Sequence, residues 1–475
     1  MTALLDELRS LVGPTHVVTE VNDLAPVLTD WRGRYAGQAL ALVKPASTAE
    51  VAAVVRACAA AGVAVTPQGG NTGLCGGATP IAARPQIVLR LDRMNRIRAI
   101  GRLGDWIAVD AGCVLADVQQ AAADRGRLFP LSLGAEGSCQ IGGNLSTNAG
   151  GVAALRYGVA RDLVLGLEVV LPDGSIYDAM SRLRKDATGY DLKQLFIGAE
   201  GTLGIITGAT LKLFARPTRR ATAMARVSTF ADALALLTAA RDRLGDRLAA
   251  FEVMSRTQLD IIARHAPQVA MPLAIEAGWF VLIEIADVVA DFDAAAALEA
   301  MLAAAMESGL VADAVLATSE AQAEALWRIR HAAPEVGRKE GFVVSHDSSV
   351  PVDSLAEFVA RLERRVPEVA PDAALAILGH AGDGNLHVLV ILPHDSVRDA
   401  AAREARVAAI NAVVDAETAA LGGAISAEHG VGCANLARFA AAVDPVEMAL
   451  MRAVKATLDP AGLMNPGKLL PPASA

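Results

Sequence analysis

The segment Gly379–His387, with the sequence GHAGDGNLH, constrains the fold most, because its glycine-rich turn separates two apolar runs. AALAIL precedes it and VLVIL follows it, and both runs have the length of buried strands. The pattern predicts two neighbouring strands joined by a short loop, with His380 and His387 close to that loop. Both imidazoles are then expected to point into one cavity.

A third metal ligand is predicted downstream in Ser426–Gly430, where Glu428 and His429 stand side by side between small residues. Two histidines and one carboxylate leave an open position on zinc, which is typical of catalytic rather than structural sites. We therefore predict a site formed by His380, His387 and Glu428, with zinc favoured and manganese or iron left open. The alternative is that the histidines are hydrogen-bonded structural residues of a glycine loop.

Length and charge narrow the class of protein. The 475 residues exceed what one hydrophobic core usually serves, so two domains with room for a buried cofactor are expected. The formal charge of -9 and the lack of a basic run argue against a nucleic-acid partner.

We find no apolar run long enough to cross a bilayer, and the N-terminus resembles an amphipathic helix more than a signal peptide. The expected location is the cytoplasm, and the five scattered cysteines are expected to be reduced.

A glycine-rich loop is predicted near the start of the chain, after a capped helix at 47–62 and a strand at 63–66. The loop, PQGGNTGLCGG, spans 67–77 and contains five glycines. Unobstructed backbone N–H groups form concavities that bind phosphate oxygens, so we predict an anion-binding loop; a surface turn is the alternative. The loop is neither GxGxxG nor a Walker loop, so neither a Rossmann nor a P-loop fold is implied.

Two further segments of small residues follow. GSCQIGGNLSTNAGG at 137–151 is rich in hydroxyls and amides but has no charge, and DATGYDLKQLFIGAEGTLGII at 186–206 contains a second glycine turn. Three such segments in one half of the chain predict an extended polar ligand.

In their order, these three segments resemble the FAD-binding domain of the vanillyl-alcohol oxidase flavoprotein superfamily. GHAGDGNLH, SAEHG and DPAGLMNPGK resemble its FAD-linked oxidase branch, closest to the D-2-hydroxyglutarate dehydrogenases. The resemblance covers nearly the whole chain. It implies an α+β protein with a two-subdomain FAD-binding domain at 1–217, an α+β cap with an antiparallel sheet at 218–425, and a segment at 426–475 that returns to the FAD domain.

The resemblance also implies which residues contact FAD, with the first loop on the pyrophosphate and the later two near the isoalloxazine. The implied FAD residues are Pro67, Gly69, Gly70, Asn71, Thr72, Gly73, Gly76, Gly77, Ser138, Gly142, Gly143, Asn144, Ser146, Thr147, Glu200, Gly201, Gly204, Ile205, Ile206 and Asn465. No histidine lies in the loops, so the FAD is expected to be non-covalent.

The implied activity is oxidation of a D-2-hydroxy acid to the 2-oxo acid. A divalent metal would lower the pKa of the substrate hydroxyl, and His429 is the expected general base. Asn385 and Asp383 are expected either to orient the ligands and substrate or to serve only the turn.

The alternatives to this dehydrogenase function are a metal-dependent hydrolase and a non-catalytic flavoprotein. The sequence contains no nicotinamide, haem or iron–sulfur motif, so electrons are expected to leave to a separate acceptor such as an electron-transfer flavoprotein or a quinone, or to oxygen. The oligomeric state is open, with a homodimer as one expectation.

The resemblance further implies how the small-molecule substrate is held. Arg330 and the positions of Pro334 and Ser345 would face a distal carboxylate, but relatives carry a hydroxyl residue and a lysine at the latter two positions. Leu389 stands where relatives have an asparagine. D-2-hydroxyglutarate is therefore one expected substrate, and D-lactate or a larger apolar 2-hydroxy acid is the other. The alternative for Arg330 is a surface ion pair on an exposed helix.

Overall fold

The computed structural model describes residues 2–472, with the backbone alone at Pro334 and Val397. The strands, in chain order, are β1 (Val17–Val18), β2 (Leu42–Val43), β3 (Ala64–Gln68), β4 (Gln86–Arg90), β5 (Ile97–Ile100), β6 (Trp106–Asp110), β7 (Arg127–Leu128), β8 (Val164–Val170), β9 (Ile176–Ala179), β10 (Ile205–Lys212), β11 (Phe214–Ala215), β12 (Arg219–Val227), β13 (Leu248–Ser255), β14 (Trp279–Asp287), β15 (Asp313–Leu316), β16 (Phe342–Ser349), β17 (Ala374–His380) and β18 (Asn385–Leu392).

The α-helices are α1 (Thr2–Val12), α2 (Val21–Leu28), α3 (Thr48–Ala60), α4 (Leu115–Ala123), α5 (Ile141–Ser146), α6 (Ala154–Tyr157), α7 (Phe230–Leu244), α8 (Arg256–His265), α9 (Ala294–Glu307), α10 (Glu320–Glu340), α11 (Leu355–Val369), α12 (Ala400–Ala420), α13 (Leu436–Ala442) and α14 (Pro445–Leu458). Short 3₁₀ helices lie at Pro14–His16, Ala160–Leu163, Leu192–Leu195, Gly245–Arg247, Val352–Ser354 and His394–Val397. Among these described helices, none is long and apolar enough to span a bilayer.

The chain forms two units. The first contains the described chain up to Gly151, Gly158–Arg216 and the chain from Glu428 onward; the second contains Val152–Tyr157 and Pro217–Ala427. The mixture of helices and largely antiparallel sheets gives the α+β class that the sequence predicted. The functional assignments made for 1–217, 218–425 and 426–475 stay predictions.

The first unit has a four-stranded mixed sheet, β1-β2-β4-β3, and a five-stranded antiparallel sheet, β5-β6-β10-β8-β9, with β7 and β11 as a separate pair. The predicted helix at 47–62 is confirmed as α3, and the Ser47 side chain accepts a hydrogen bond from Glu50 N. The predicted strand at 63–66 is β3. The loop that follows β3 begins at the end of its parallel pairing with β4.

The C-terminal segment supplies contacts to β3 within the first unit. Met464 forms a parallel bridge with Val65, and Asn465 N donates to Val65 O at 2.9 Å. Lys455 on α14 donates to Thr202 O at 2.6 Å. The described chain from Glu428 onward is therefore integrated into the same unit as the first glycine loop through main-chain and side-chain hydrogen bonds.

A polar cluster lies on the five-stranded sheet. Asp110 is completely buried and accepts from Arg96 and Arg98, while Arg98 also donates to Glu168 at 2.8 Å. The hydroxyls of Thr48 and Thr207 donate to the same Glu168 oxygen. Burial raises the pKa of Glu168, but the donors outweigh burial and leave the pKa below its ordinary value.

We predict that Glu168→Gln destabilises the protein by about 2 kcal/mol at pH 7, because charge-assisted hydrogen bonds are lost. A carboxylate with a lowered folded pKa stabilises the fold above its unfolded pKa of about 4.3, and this stabilisation is lost as the pH falls through the folded pKa. The difference between wild type and variant in urea unfolding should therefore shrink from pH 7 to pH 3. Glu7→Gln on the exposed face of α1 is the control, and an equal, pH-independent effect of both variants would contradict the prediction.

The second unit contains a seven-stranded antiparallel sheet with the order β15-β12-β14-β13-β17-β18-β16. The predicted antiparallel cap sheet is thus present. Helices alternate with strands in this unit, so that α7 follows β12, α9 follows β14 and α10 precedes β16.

The two faces of this sheet carry different helices. Residues of α7, α9, α11 and α12 form a core with one face, which includes Phe251 and Val253 of β13. Residues of α8 and α10 form a second core with the other face, which includes Met254 of β13 and Leu378 of β17. Because side chains alternate along a strand, Glu252 and His380 lie on the same face as Met254 and Leu378. This α8/α10 face also carries His387, two residues before Leu389.

Candidate active site

The predicted histidine hairpin forms as β17 and β18, with four residues between the strands. His380 is the last residue of β17, and His387 lies on β18 opposite Leu378. Their rings are 5.5 Å apart at an interplanar angle of 84°, and one ring nitrogen of each lies within 4.8 Å of the other. Two imidazole nitrogens at this separation suit two ligands of one divalent ion.

Glu252 on β13 accounts for the orientation of His380. The two residues are direct cross-strand partners, and His380 Nδ1 lies 2.5 Å from Glu252 Oε1. The other oxygen, Oε2, accepts a hydrogen bond from Arg330 Nε at 2.7 Å. Glu252 is 1% exposed. Burial raises its pKa, but His380 and Arg330 outweigh burial and lower the pKa to about 2.

Arg330 lies on α10 and is 7% exposed, so the alternative of a surface ion pair on an exposed helix is wrong. Arg330 Nε is bonded to Glu252, and its two terminal nitrogens have no hydrogen-bond partner within the described chain. Ser345 is exposed on β16 and pairs in register with Leu389. The side chain of Pro334 lies outside the described residues.

His387 is flanked by an acid and an amide. Its Nδ1 is 3.5 Å from Asp347 Oδ1, and Asn385 Nδ2 donates to that same oxygen at 3.0 Å. Asn385 N in turn donates to Asp383 Oδ1, which closes the turn. Asn385 Oδ1 is buried and has no hydrogen-bond partner within residues 2–472. Asn385 therefore orients Asp347 through its amide nitrogen while its oxygen can accept a donor from a ligand.

Glu428 and His429, the predicted third ligand and base, belong to the first unit and are partly buried. Glu428 lies against Gly150 of the second small-residue segment, since a Cβ at Gly150 would come within 2.7 Å of Glu428 Oε1. Just beyond it, Val431 N and Gly432 N both donate to the Glu200 carboxylate at 2.7 Å. Burial raises the pKa of Glu200 despite these two hydrogen bonds.

The predicted FAD residues all lie in the first unit. In the first loop, β3 contains Pro67 and is followed by Gly69, Gly70, Asn71, Thr72, Gly73, Gly76 and Gly77. In the second segment, Ser138 precedes α5, which contains Gly142, Gly143, Asn144 and Ser146 and ends before Thr147. In the third segment, β10 begins with Ile205 and Ile206 and is preceded by Glu200, Gly201 and Gly204, while Asn465 follows α14.

The structure brings the first and second of these segments together. Gly70 approaches Ser138 so closely that a Cβ would lie 2.0 Å from Ser138 O, which excludes any side chain. Asn465 Nδ2 donates to Gly77 O at 2.9 Å and to Glu200 O at 2.6 Å. The first loop, the third loop and the C-terminal segment are therefore fixed by one amide.

Several buried acceptors near these loops have no hydrogen-bond partner within the described chain. They are the side-chain oxygens of Gln140, Asn144 and Asn465. Leaving a buried acceptor unpaired costs about 1–3 kcal/mol, and the hydroxyls of a ribityl chain or the N–H of an isoalloxazine would satisfy such acceptors. The donor and acceptor set therefore fits FAD.

Sequence reasoning missed two residues, Glu252 and Asp347. A single acid in the apolar stretch AAFEVMS is a signal that Glu252 requires a buried partner, because a lone buried charge is costly. Nothing in the sequence indicates that the partners are His380 and Arg330.

Comparisons with known proteins define the family. Residues 39–179 match the FAD binding domain family, and residues 216–469 match the family of FAD linked oxidases, C-terminal domain. The chain is therefore a flavoprotein that belongs to the FAD-linked oxidase family.

Within this family the curated relatives carry one name. The chain is 39% identical to the mitochondrial D-2-hydroxyglutarate dehydrogenase of Bos taurus, over 98% of this chain and 84% of the relative. It is 38% identical to a probable mitochondrial D-2-hydroxyglutarate dehydrogenase of Oryza sativa subsp. japonica, over 98% and 81%. It is 36% identical to the D-2-hydroxyglutarate dehydrogenase of Stutzerimonas stutzeri (strain A1501), over 98% of both chains.

Solved structures show the same fold at low sequence identity. p-Cresol methylhydroxylase aligns with a TM-score of 0.77 at 17% identity, covering 98% of this chain and 96% of the other. The 4-ethylphenol oxidase from Gulosibacter chungangensis aligns with a TM-score of 0.74 at 19% identity, covering 99% and 97%. These matches confirm the predicted vanillyl-alcohol oxidase type of fold.

Asn465 gives a test of how the loops are held. We predict that Asn465→Ala lowers the stability of the FAD-free protein by about 2–3 kcal/mol, because two hydrogen bonds are lost and alanine must adopt a φ of 42°. Asn465→Gly should lose less, since glycine adopts positive φ without strain. Both should weaken FAD binding, measured by flavin fluorescence. Wild-type melting temperature and FAD affinity in Asn465→Ala would contradict the prediction.

Proposed function

We propose that this chain is an FAD- and divalent-metal-dependent dehydrogenase that oxidises a D-2-hydroxy acid to the 2-oxo acid. The observation that carries the proposal is the placement of His380, His387, Glu252 and Arg330 on the α8/α10 face, where two neighbouring imidazoles lie on the same face as a buried guanidinium. The names of the curated relatives support the same reaction and D-2-hydroxyglutarate as a substrate.

The proposed metal ligands are His380, His387 and Glu428, with zinc as the favoured ion and manganese or iron as the others. Support comes first from the neighbouring imidazoles of His380 and His387. It comes second from the hydrogen bond that Ala427 N donates to Asp347 O at 2.9 Å, because Asp347 is the cross-strand partner of His387 and Glu428 directly follows Ala427 in the chain. A set of two histidines and one carboxylate leaves a position for substrate oxygen atoms.

When bound, non-covalent FAD would supply the acceptor for the hydrogen on the substrate carbon together with its two electrons, and a divalent cation held by the histidine pair and Glu428 would lower the pKa of the substrate hydroxyl. His429 accepts the hydroxyl proton at a ring nitrogen. Arg330 pairs its two terminal nitrogens with a carboxylate of the substrate, since a guanidinium offers two parallel donors. Asn385 and Asp347 hold His387 in place, so that substrate and ligands stay in one geometry.

The remaining parts of the proposal concern partners and location. Electrons pass to a separate acceptor, an electron-transfer flavoprotein or a quinone. A cytoplasmic location is supported by the five cysteines, which are scattered singly along the sequence and suit a reducing compartment. A homodimer stays a prediction for the oligomeric state.

A second candidate substrate is D-lactate or a larger apolar 2-hydroxy acid. The observation that favours it is that Ser345 and Leu389, paired across β16 and β18, add no cation beside Arg330. The charge of Arg330 is moreover shared with Glu252. The distal carboxylate of a diacid substrate would therefore pair with the guanidinium of Arg330, whose positive charge Glu252 already partly neutralises.

Flavin reduction tests the reaction. We expect FAD-loaded protein to be bleached anaerobically by a D-2-hydroxy acid and this bleaching to be abolished by a strong chelator and restored by Zn²⁺. His429→Asn should keep FAD bound but reduce bleaching by roughly 10²- to 10⁴-fold, the usual contribution of a general base. His16→Asn, in the same unit, is the control. Colourless protein that does not bind added FAD would support the hydrolase alternative, and flavin that no D-2-hydroxy acid reduces would support the non-catalytic one.

The substrate class is tested by comparing kcat/KM for D-2-hydroxyglutarate and D-lactate. We predict comparable values in wild type and a gain for the diacid of about 10- to 100-fold in Ser345→Lys, since one charge-assisted hydrogen bond contributes roughly 1.5–3 kcal/mol. Ser345→Met adds similar length without charge and should give no gain. A strong wild-type preference for the diacid that the lysine does not increase would show that D-lactate is the wrong candidate.

A further inference from the structure

The two carboxylate oxygens of Glu252 bind different residues. Oε1 lies 2.5 Å from His380 Nδ1, and Oε2 accepts from Arg330 Nε at 2.7 Å. These partners come from separate elements, His380 from β17 and Arg330 from α10. All three side chains are at least nine-tenths buried. One carboxylate therefore joins a strand of the histidine hairpin to the helix that carries the guanidinium.

For His380, this contact selects the tautomer. An ionised carboxylate only accepts hydrogen bonds, so Nδ1 must carry the proton that lies between the two residues. In the neutral imidazole Nε2 then carries the lone pair. A histidine that donates its second ring N–H to a carboxylate has a fixed ring orientation and a more basic ligand nitrogen.

For Arg330, the contact fixes the direction of the guanidinium plane. Nε is the nitrogen bonded to Glu252, so the edge with the two terminal nitrogens points away from the carboxylate. Those two nitrogens have no hydrogen-bond partner in the described part of the chain. A guanidinium held at Nε presents a second, preorganised fork, which loses little side-chain entropy on pairing with another carboxylate.

A matched acid lies on the neighbouring strand. Glu284 of β14 accepts from Trp327 of α10 at 2.8 Å and from Arg220 at 2.7 Å. Like Glu252, it joins the sheet to α10 and pairs with an arginine. Within residues 2–472 it forms no hydrogen bond with a histidine, so a variant of Glu284 tests the sheet-to-helix contact without a direct effect on His380.

We propose that Glu252 is a positioning residue that holds both the metal ligand His380 and the substrate-binding Arg330, so that metal affinity and recognition of a second substrate carboxylate depend on one buried side chain. This inference rests on the proposed function. It predicts that loss of the Glu252 charge has two effects, one on the metal and one on a diacid substrate, which different measurements separate.

The first measurement is Zn²⁺ affinity of the FAD-loaded, metal-free protein, determined by competition with a chromophoric chelator. Glu252→Gln should weaken Zn²⁺ binding by about 10- to 100-fold, the usual effect of removing a hydrogen-bond partner of a ligand histidine. Glu284→Gln should leave it within about twofold of wild type. Equal Zn²⁺ affinity in Glu252→Gln and Glu284→Gln would overturn the proposal.

The second measurement is the KM for D-2-hydroxyglutarate and for D-lactate. Glu252→Gln should raise the KM for the diacid more than that for D-lactate, because only the diacid has a carboxylate for Arg330. In an Arg330→Gln background the extra effect on the diacid should vanish, while the loss of Zn²⁺ affinity should persist. An effect of Glu252→Gln on the diacid that is unchanged in that background would overturn the link to Arg330.

The third measurement observes wild-type, metal-free protein and therefore does not depend on the folding of a Glu252 variant. Long-range ¹H–¹⁵N correlation spectra report which ring nitrogen of His380 carries the proton, with assignment by loss of the signals in His380→Gln. We expect the proton on Nδ1; a proton on Nε2 alone would overturn the proposal. Wild-type protein that binds no Zn²⁺ and is not reduced by any D-2-hydroxy acid would instead overturn the proposed function, and the tautomer would still decide the contact with Glu252.

Discussion

A fully buried carboxylate sets the strictest physical condition in the second unit. Moving an isolated carboxylate into an apolar sheet face costs several kcal/mol, and Glu252 avoids that cost only if His380 and Arg330 both reach it. β13 and β17 must therefore pair in the observed register, and α10 must lie on that face. Replacing a buried ion pair by apolar residues is often neutral for stability, so the main effect of this network is to orient side chains.

The first unit holds its polar groups in place with different chemistry. Its glycine-rich segments consist largely of glycine backbone, amides and hydroxyls, and the buried carboxylate of Glu200 beside them accepts hydrogen bonds from two backbone N–H groups. Burial lowers the pKa of Lys468 and raises that of Glu200, although the two are close enough to interact. Neutral donors and acceptors suit a ligand with many hydroxyls, whereas the α8/α10 face of the second unit concentrates charged groups.

The sequence was most informative where local chemistry decides the structure. The Ser47 cap fixes the start of α3, and two apolar runs around a glycine turn fix the histidine hairpin. The sequence was least informative where the order of strands in the sheet determines which residues come into contact. Glu252 and His380 are 128 residues apart, and neither periodicity nor motif indicates that β13 pairs with β17. The burial of Arg330 depends on the same pairing, which is why a surface location for it could not be dismissed beforehand.

The first unit is interrupted by nearly the whole second unit, and this has a consequence for how the polypeptide reaches its native state. The hydrogen bond between Asn465 and Gly77 joins residues 388 positions apart, and Met464 bridges Val65 in β3. Closing so long a loop in an unstructured chain is entropically costly, but prior folding of Pro217–Ala427 shortens the effective loop. During synthesis from the N-terminus, the glycine loop after β3 emerges long before the amide that fixes it. The first unit can therefore be completed only after the segment around Asn465 has been synthesised, and the whole inserted unit precedes that segment in the chain.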